Sequence, residues 1–120
     1  MLVRCAYYDG TVDLKDQPTF DDYVRNVHLE LAATWPRLRS LRLLKNNGKP
    51  YEGEAPRFYH AFELGFDNQE DMDFCMAADE RKYCRQVADR DIAKFRGLFK
   101  GKINHVNFEV IDIPLRPSSK

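Results

Sequence analysis

Residues 57–72 read RFYHAFELGFDNQEDM, and this stretch decides the fold. Apolar residues alternate with polar or small ones as far as Phe66, which is the period of a β-strand with one buried face. Asp67 and Asn68 follow as candidate caps of a helix. The strand face predicted to meet the helices carries Phe58, His60, Phe62, Leu64 and Phe66, and the opposite face carries Tyr59, Ala61, Glu63 and Gly65.

The segments on either side supply the other elements. Leu2–Tyr8 is predicted as a first strand that ends at Asp9-Gly10. A helix is predicted from Thr19, which forms a capping box with Asp22, as far as Trp35, because Pro36 disfavours the helical conformation of the residue before it. Two further strands are predicted at 38–45 and 103–113, and a loop at 46–56. A second helix is predicted to bury Met72, Cys75 and Met76. A third helix is predicted from Asp79, and its apolar stripe consists of Cys84, Val87, Ala88, Ile92, Phe95 and Phe99.

The resulting order is β-α-β-β-α-β, an α+β domain of the ferredoxin-like type with one four-stranded antiparallel sheet. We expect a single domain over residues 1–113 and a C-terminal tail over 114–120. The helices cover one sheet face, and the other face is predicted to offer Ala61, Ile103 and Ile111 among polar residues. Pairing with an identical sheet would cover this mixed surface, so the sequence predicts a homodimer.

Composition argues against several classes of protein. Nineteen basic residues balance nineteen acidic ones, so no overall charge favours nucleic acid or an anionic membrane. No apolar run approaches the roughly 20 residues that cross a bilayer, and the first residues do not resemble a signal peptide. Three scattered cysteines indicate reduced thiols in the cytoplasm. Metal-ligand spacings and nucleotide-binding motifs are lacking, so we predict neither a metal nor a cofactor.

Three segments resemble a known family. YVRNVHLELA (23–32), RFYHAFELGFDNQEDM (57–72) and, more weakly, ADERKYCRQVADRDIAKF (78–95) are similar to motifs of the EthD-like branch of the dimeric α+β barrel superfamily. The resemblance implies a homodimer whose sheets face each other, with a ligand cavity between helices and sheet in each protomer. Relatives include lactone isomerases, cofactor-free monooxygenases and proteins linked to ether degradation.

Two histidines are the candidate catalytic residues. His28 lies at the edge of the apolar stripe of the first helix, and His60 lies on the inward face of its strand. We expect both to enter one apolar space, where desolvation lowers the pKa and leaves neutral imidazoles for acid/base chemistry. The simpler reading is that each is a buried histidine satisfied by a backbone carbonyl. His105 is expected at the sheet–sheet contact or in solvent.

The candidate substrate-binding residues are aromatic. Tyr7, Trp35, Phe62 and Tyr83 could form walls for a flat ligand, although aromatic residues at such spacings are more often core. Glu63 is interpreted as the partner of Arg4 or Arg42 in a buried interface ion pair.

The sequence therefore predicts a cofactor-independent enzyme of the isomerase, dehydratase or monooxygenase type. Its substrate would be a small apolar compound that carries a carbonyl or hydroxyl group. Two alternatives stay open: a non-catalytic dimer that binds a small ligand, and a haem or oxygen barrel protein with His28 or His60 as axial ligand.

Overall fold

The structure, a computed structural model, describes residues 1–49, 52–53 and 57–118. Part of the predicted loop 46–56 lies outside these ranges. A π-helical turn at Val24–His28 joins α1 to α2, and short 3-10 turns lie at Leu14–Asp16, Ile92–Lys94 and Arg96–Leu98. The main elements are β1 (Leu2–Val12), α1 (Gln17–Tyr23), α2 (Leu29–Ala32), β2 (Ser40–Lys45), β3 (Phe58–Phe66), α3 (Gln69–Met76), α4 (Asp79–Arg90) and β4 (Phe99–Glu109).

The four strands form one antiparallel sheet in the order β2-β3-β1-β4. This confirms the predicted ferredoxin-like architecture. The helices pack on one face, which we call the inner face, and the opposite one is the outer face. Between helices and sheet lies a core whose largest fully buried side chains include Phe20, Phe66, Phe95 and Met72. Each contributes roughly 1.5–3 kcal/mol to the free energy of unfolding through burial alone.

The first helix begins earlier than predicted. It starts at Gln17, so Thr19 and Asp22 lie inside it and form no capping box. Pro18 explains the shift, because proline fits the first turn of a helix, where its missing N–H has no partner to lose. The helix also ends at Ala32, before Trp35.

A β-bulge in β3 changes which side chains face the helices. Tyr8 pairs with His60 but Asp9 pairs with Phe58, so Tyr59 is the extra residue. Phe58 therefore lies on the outer face, where its ring centroid is 5.6 Å from that of Tyr7. The prediction that Phe58 faces the helices and Tyr59 faces away was wrong, because a bulge shifts the alternation by one residue.

The last strand differs from its prediction in both bounds and orientation. It runs over Phe99–Glu109, four residues earlier than expected. The strand includes Gly101, which pairs with Gly10 of β1. Only glycine fits at this position, because an added Cβ would be 2.1 Å from a backbone oxygen. Ile103 and His105 pair with the inward-facing Tyr8 and Ala6, so both lie on the inner face. The predicted outer position of Ile103 was therefore wrong, and so was the sheet–sheet contact for His105. His105 is exposed, in agreement with the other predicted location, solvent.

The remaining helices follow the sequence closely. The side chain of Asn68 accepts a hydrogen bond from the backbone N–H of Asp71, which confirms the predicted cap of α3. Asp79 is the first residue of α4 rather than its cap. Ile92, predicted on the buried stripe, is exposed because it follows the end of α4. In the described ranges, no helix has the length and apolar character needed to span a bilayer.

Candidate functional site

A cavity of about 140 Å³ lies between the helices and the sheet, and we call it the central cavity. The sheet supplies an apolar floor, made of Tyr8, Phe62, Leu64 and Ile103. The helical layer with its turns, and the strands β1 and β4, supply polar groups. These groups belong to Arg4, His28, Trp35, Arg81, Cys84, Arg85, Arg96 and His105.

His28 lies on the wall of this cavity, at the last position of the π-helical turn. A π-helical turn holds one more residue than an α-helical turn, and such turns are frequent at functional sites. The ring centroid of His28 is 4.7 Å from that of Phe95 and 5.8 Å from that of Phe62. Its Nδ1 is 3.8 Å from Sγ of Cys84. Packing and one sulfur contact therefore fix the imidazole.

The imidazole of His28 is neutral at pH 7. Burial is the main cause that lowers its pKa to about 4, and Arg96 and His60 contribute in the same direction. A neutral imidazole keeps a lone pair that can take a proton from a ligand and later return it. This group can therefore perform acid/base chemistry in the cavity.

Four arginines surround the same cavity, and sequence reasoning did not assign any of them to the site. Arg81 and Arg85 are one helical turn apart on α4, and that spacing was the one available signal. Arg4 and Arg96 come from other parts of the chain. Glu63 pairs with Arg42, with 2.5 Å between Nη2 and Oε1, rather than with Arg4. The predicted pairing is thus confirmed for Arg42, but the ion pair is not buried, because the Arg42 side chain is 68% exposed. Its place at an interface stays a prediction.

His60 lines a different space. It borders an open groove of about 640 Å³ together with Asp21, Lys45 and Tyr59. Only 5% of its surface is exposed, and its Nε2 is buried without a hydrogen-bond partner among the described residues. Burial lowers its pKa to about 4. The two histidines therefore do not line one shared cavity, although both contact Phe62.

The predicted aromatic residues divide between three locations. Trp35 and Phe62 line the central cavity with His28. Tyr7 lies on the outer face of β1, and its neighbour Tyr8 takes the inward position instead. Tyr83 is 56% exposed on α4 and lines none of the cavities described above.

One of the three cysteines contributes a thiol to the central cavity. Cys5, Cys75 and Cys84 are buried and free. Burial raises the pKa of Cys84, so it is a neutral thiol, whose Sγ is 3.8 Å from the carbonyl oxygen of His28. Across residues 1–49, 52–53 and 57–118, no three His, Cys, Asp or Glu side chains are grouped as metal ligands.

The lowered histidine pKa values predict a loss of stability in mild acid. In the unfolded chain His28 and His60 titrate near 6.5, but folded they titrate near 4. Between these two pH values the unfolded state binds more protons than the folded state. The contribution of the two histidines to the free energy of unfolding is therefore fully present above pH 6.5 and declines as the pH falls toward 4. From pH 7 to 5 we expect a loss of about 2 kcal/mol for each histidine.

Urea unfolding at a fixed protein concentration at both pH values measures this effect. In the variant His60→Gln the difference between pH 7 and pH 5 should shrink by about half. An unchanged difference would show that other groups cause the acid sensitivity.

Comparisons with known proteins support the fold. No protein-family model and no curated protein matches the chain in sequence. In structure it is similar to an EthD family protein of Bacillus halodurans, with a TM-score of 0.68 and 22% identity over 92% of this chain and 100% of that chain. An EthD-like protein of Ralstonia eutropha gives a TM-score of 0.59 and 14% identity, covering 92% and 93% of the two chains.

A third similar structure is a dimeric protein of unknown function with a ferredoxin-like fold from Bacteroides fragilis. Its TM-score is 0.56 at 15% identity, with coverage of 91% of this chain and 95% of that one. At these identities the comparisons establish the fold. The predicted resemblance to EthD-like structures is confirmed at that level.

Proposed function

We propose that this chain is an EthD-like, homodimeric, cofactor-independent enzyme. It acts on a small, largely apolar compound that bears a carbonyl or hydroxyl group. His28 transfers the proton, and Trp35 and Phe62 hold the apolar part of the compound. The enzyme is a single domain over residues 1–113 with a tail at 114–120, and it works in the cytoplasm, consistent with its buried free thiols.

One observation carries this proposal. A neutral imidazole, His28, lies on the wall of an apolar-floored cavity between the helices and the sheet. Buried groups whose pKa is strongly lowered inside a cavity are frequent at catalytic sites. The turn that carries His28 is π-helical, which adds a second feature common at such sites.

The chemistry follows from the protonation state. The imidazole of His28 takes a proton from the carbon next to a carbonyl, and the electron pair left on carbon delocalises into an enolate. The imidazolium then returns the proton, to the same carbon or to a different one. In an unsaturated carbonyl compound the enolate is conjugated with the C=C bond, and return of the proton to the far carbon of this dienolate isomerises the compound. In a β-hydroxy carbonyl compound the enolate electron pair expels the hydroxyl group, which takes the proton from the imidazolium and leaves as water.

His60 has a supporting role in this proposal. Its ring centroid is 4.2 Å from that of Tyr8, which belongs to the cavity floor, and 5.6 Å from that of Phe20. His60 borders the groove and not the central cavity, so it supports the floor from the side, through its contact with Tyr8. We assign it no proton transfer.

The homodimer is proposed from the outer face of the sheet. Four large apolar side chains on or beside this face are exposed to between 37% and 44%: Leu44, Phe58, Val106 and Phe108. Large apolar side chains that are exposed on one face of a sheet favour association. The similar Bacteroides fragilis protein is described as dimeric. In such a dimer Tyr7 would lie at the contact between the sheets.

Deuterium exchange tests the proposed activity, because proton abstraction is the step that the candidate isomerisation and dehydration reactions share. The purified protein, treated with a chelator and dialysed, is incubated in D₂O with a panel of cyclic ketones, lactones and β-hydroxy carbonyl compounds. NMR then follows the loss of the proton next to the carbonyl. We expect catalysed exchange for at least one compound.

Two results would contradict the proposal. Compounds that bind without any catalysed exchange would favour a non-catalytic ligand-binding dimer. A haem absorption band in the purified protein would favour the oxygen-related alternative, with a histidine as iron ligand.

A further inference from the structure

We infer that the central cavity is built for an anion, and that its ligand carries a carboxylate on a small apolar body. This inference rests on the proposed function, because it names the ligand class of the same cavity. It depends on the charge, the hydrogen-bonding groups and the shape of the lining.

The lining is strongly positive. Arg4, Arg81, Arg85 and Arg96 all border the cavity, and none of its lining residues is Asp or Glu. The whole chain has a formal net charge of +0, so this concentration of positive charge is local and does not follow from composition. A cavity with walls of one sign concentrates ligands of the opposite sign.

Most of this charge has no internal counterion. Arg96 pairs with Asp89 at 2.6 Å, outside the cavity lining. Two of the other arginines donate hydrogen bonds to neutral acceptors. Arg4 donates to Oδ1 of Asn107, and Arg81 donates to the carbonyl oxygen of Met76. Within the described part of the chain, neither of these two arginines nor Arg85 forms an ion pair with a carboxylate.

The arginines also affect one another and their neighbours. Burial and the charge of Arg81 lower the pKa of Arg4. Burial and the surrounding arginines lower the pKa of His105. Like charges held together in a partly buried site raise the free energy of the empty cavity, and a bound anion would relieve this cost.

One residue of the lining carries a buried hydrogen-bond donor that has no partner within the described ranges. Nε1 of Trp35 is buried and has no partner among the described residues. An indole N–H only donates, so the group that would satisfy it is an acceptor. A carboxylate has only acceptor sites and binds guanidinium groups directly. It would accept from the indole N–H as well if the Trp35 ring moved to expose Nε1 to the cavity.

The shape and the floor favour an organic anion over a bare inorganic one. The cavity has about 140 Å³, and Phe62, Leu64 and Ile103 line one side. A compound with one ring can place the ring on this floor and its carboxylate among the arginines. His28 would then face the ring carbons, and negative charge beside it would increase the basicity of its imidazole.

Calorimetry with benzoate and benzamide tests the inference, because the two probes share a ring and differ in charge. We expect benzoate to bind the purified protein at least about tenfold more tightly than benzamide, since hydrogen bonds to charged groups are the stronger ones. Inorganic phosphate, which lacks the ring, should bind more weakly than benzoate.

Charge-removing variants locate the site. Arg81→Gln and Arg85→Gln should each weaken benzoate binding by about tenfold and weaken benzamide binding less, because a neutral amide loses no charge interaction. Lys82→Gln is the matched control, because Lys82 is exposed on the same helix and does not line the cavity. It should change neither affinity by more than about twofold. Using two arginine variants guards against a folding defect in either one.

Three results would overturn the inference: equal affinities for benzoate and benzamide, no benzoate binding at millimolar concentration, or equal effects of Lys82→Gln and the arginine variants. If phosphate bound more tightly than benzoate, the claim that the ligand has an apolar body would be refuted. These tests can fail while exchange of a neutral carbonyl compound still depends on His28. In that case the inference of a carboxylate ligand is wrong, and the proposed function is retained. If His28-dependent exchange is also lacking, both fall.

Discussion

Replacing His28 by glutamine is expected to lower the rate of catalysed proton exchange by about 10²–10⁴-fold, the usual contribution of a positioned acid/base group. Glutamine is similar in size and can still donate and accept hydrogen bonds, but it cannot take up a proton near neutral pH. The NMR exchange assay on the best compound of the panel measures this effect. Wild-type kcat/KM should stay constant between about pH 5 and 8, because His28 is neutral throughout that range.

The matched control for this experiment is His60→Gln. His60 has a similarly lowered pKa but borders the groove. This variant should keep its exchange rate within about tenfold of wild type, because loss of a supporting contact costs less than loss of the proton acceptor. Thermal unfolding of both variants checks that they are folded. Equal losses in the two variants, or no loss in His28→Gln, would refute the assignment of proton transfer to His28.

The substitution Val106→Asp is expected to convert the proposed homodimer to a monomer. Val106 lies on the outer face of β4, opposite Cys5 of β1, and is 38% exposed. In a two-fold contact the substitution places one carboxylate from each protomer in an apolar interface. Burying these unpaired charges costs at least about 4 kcal/mol, which raises the dimer Kd by about 10³-fold or more.

Light scattering coupled to size-exclusion chromatography measures this change over a range of protein concentrations. Leu14→Asp is the control, because Leu14 is 82% exposed on a 3-10 turn outside the sheet. It should leave the dimer intact. A wild-type chain that is monomeric at all concentrations, or a Val106→Asp variant that stays dimeric, would contradict sheet-to-sheet association.

The sequence predicted the order of the elements because periodicity is a local property. The apolar stripe of the first helix and the alternation in β3 each depend on residues close together in the chain. Phe20 and Phe66 are fully buried, in agreement with these patterns. The stripe also placed His28 at the edge of the packed face, and the structure places it on the cavity wall.

Features that depend on distant pairing could not be read from local patterns. Tyr7 and Tyr8 are adjacent and equally suited to either face, and only their pairing with β3 and β4 decides which one turns inward. The bulge at Tyr59 arises from the pairing of β3 with Asp9. It has no signature in the alternating sequence, and it reversed the predicted face of Phe58.

The cavity lining was harder still to foresee. Arg4, Arg81 and Arg96 are far apart in sequence and belong to a strand, a helix and a short turn. Tertiary packing alone brings them to one cavity. The sequence interpretation of the site as apolar was therefore incomplete, because it considered the aromatic and histidine residues but not the charges that converge on them.

NMR of the histidine rings during a benzoate titration tests most directly whether the central cavity is the ligand site. The chain has only three histidines, and they report on different places. His28 and His105 line the central cavity, whereas His60 lines the groove. We predict that the largest shifts in ring ¹⁵N frequencies occur at His28 and His105. A titration in which His60 alone responds, or in which no ring responds, would contradict the account.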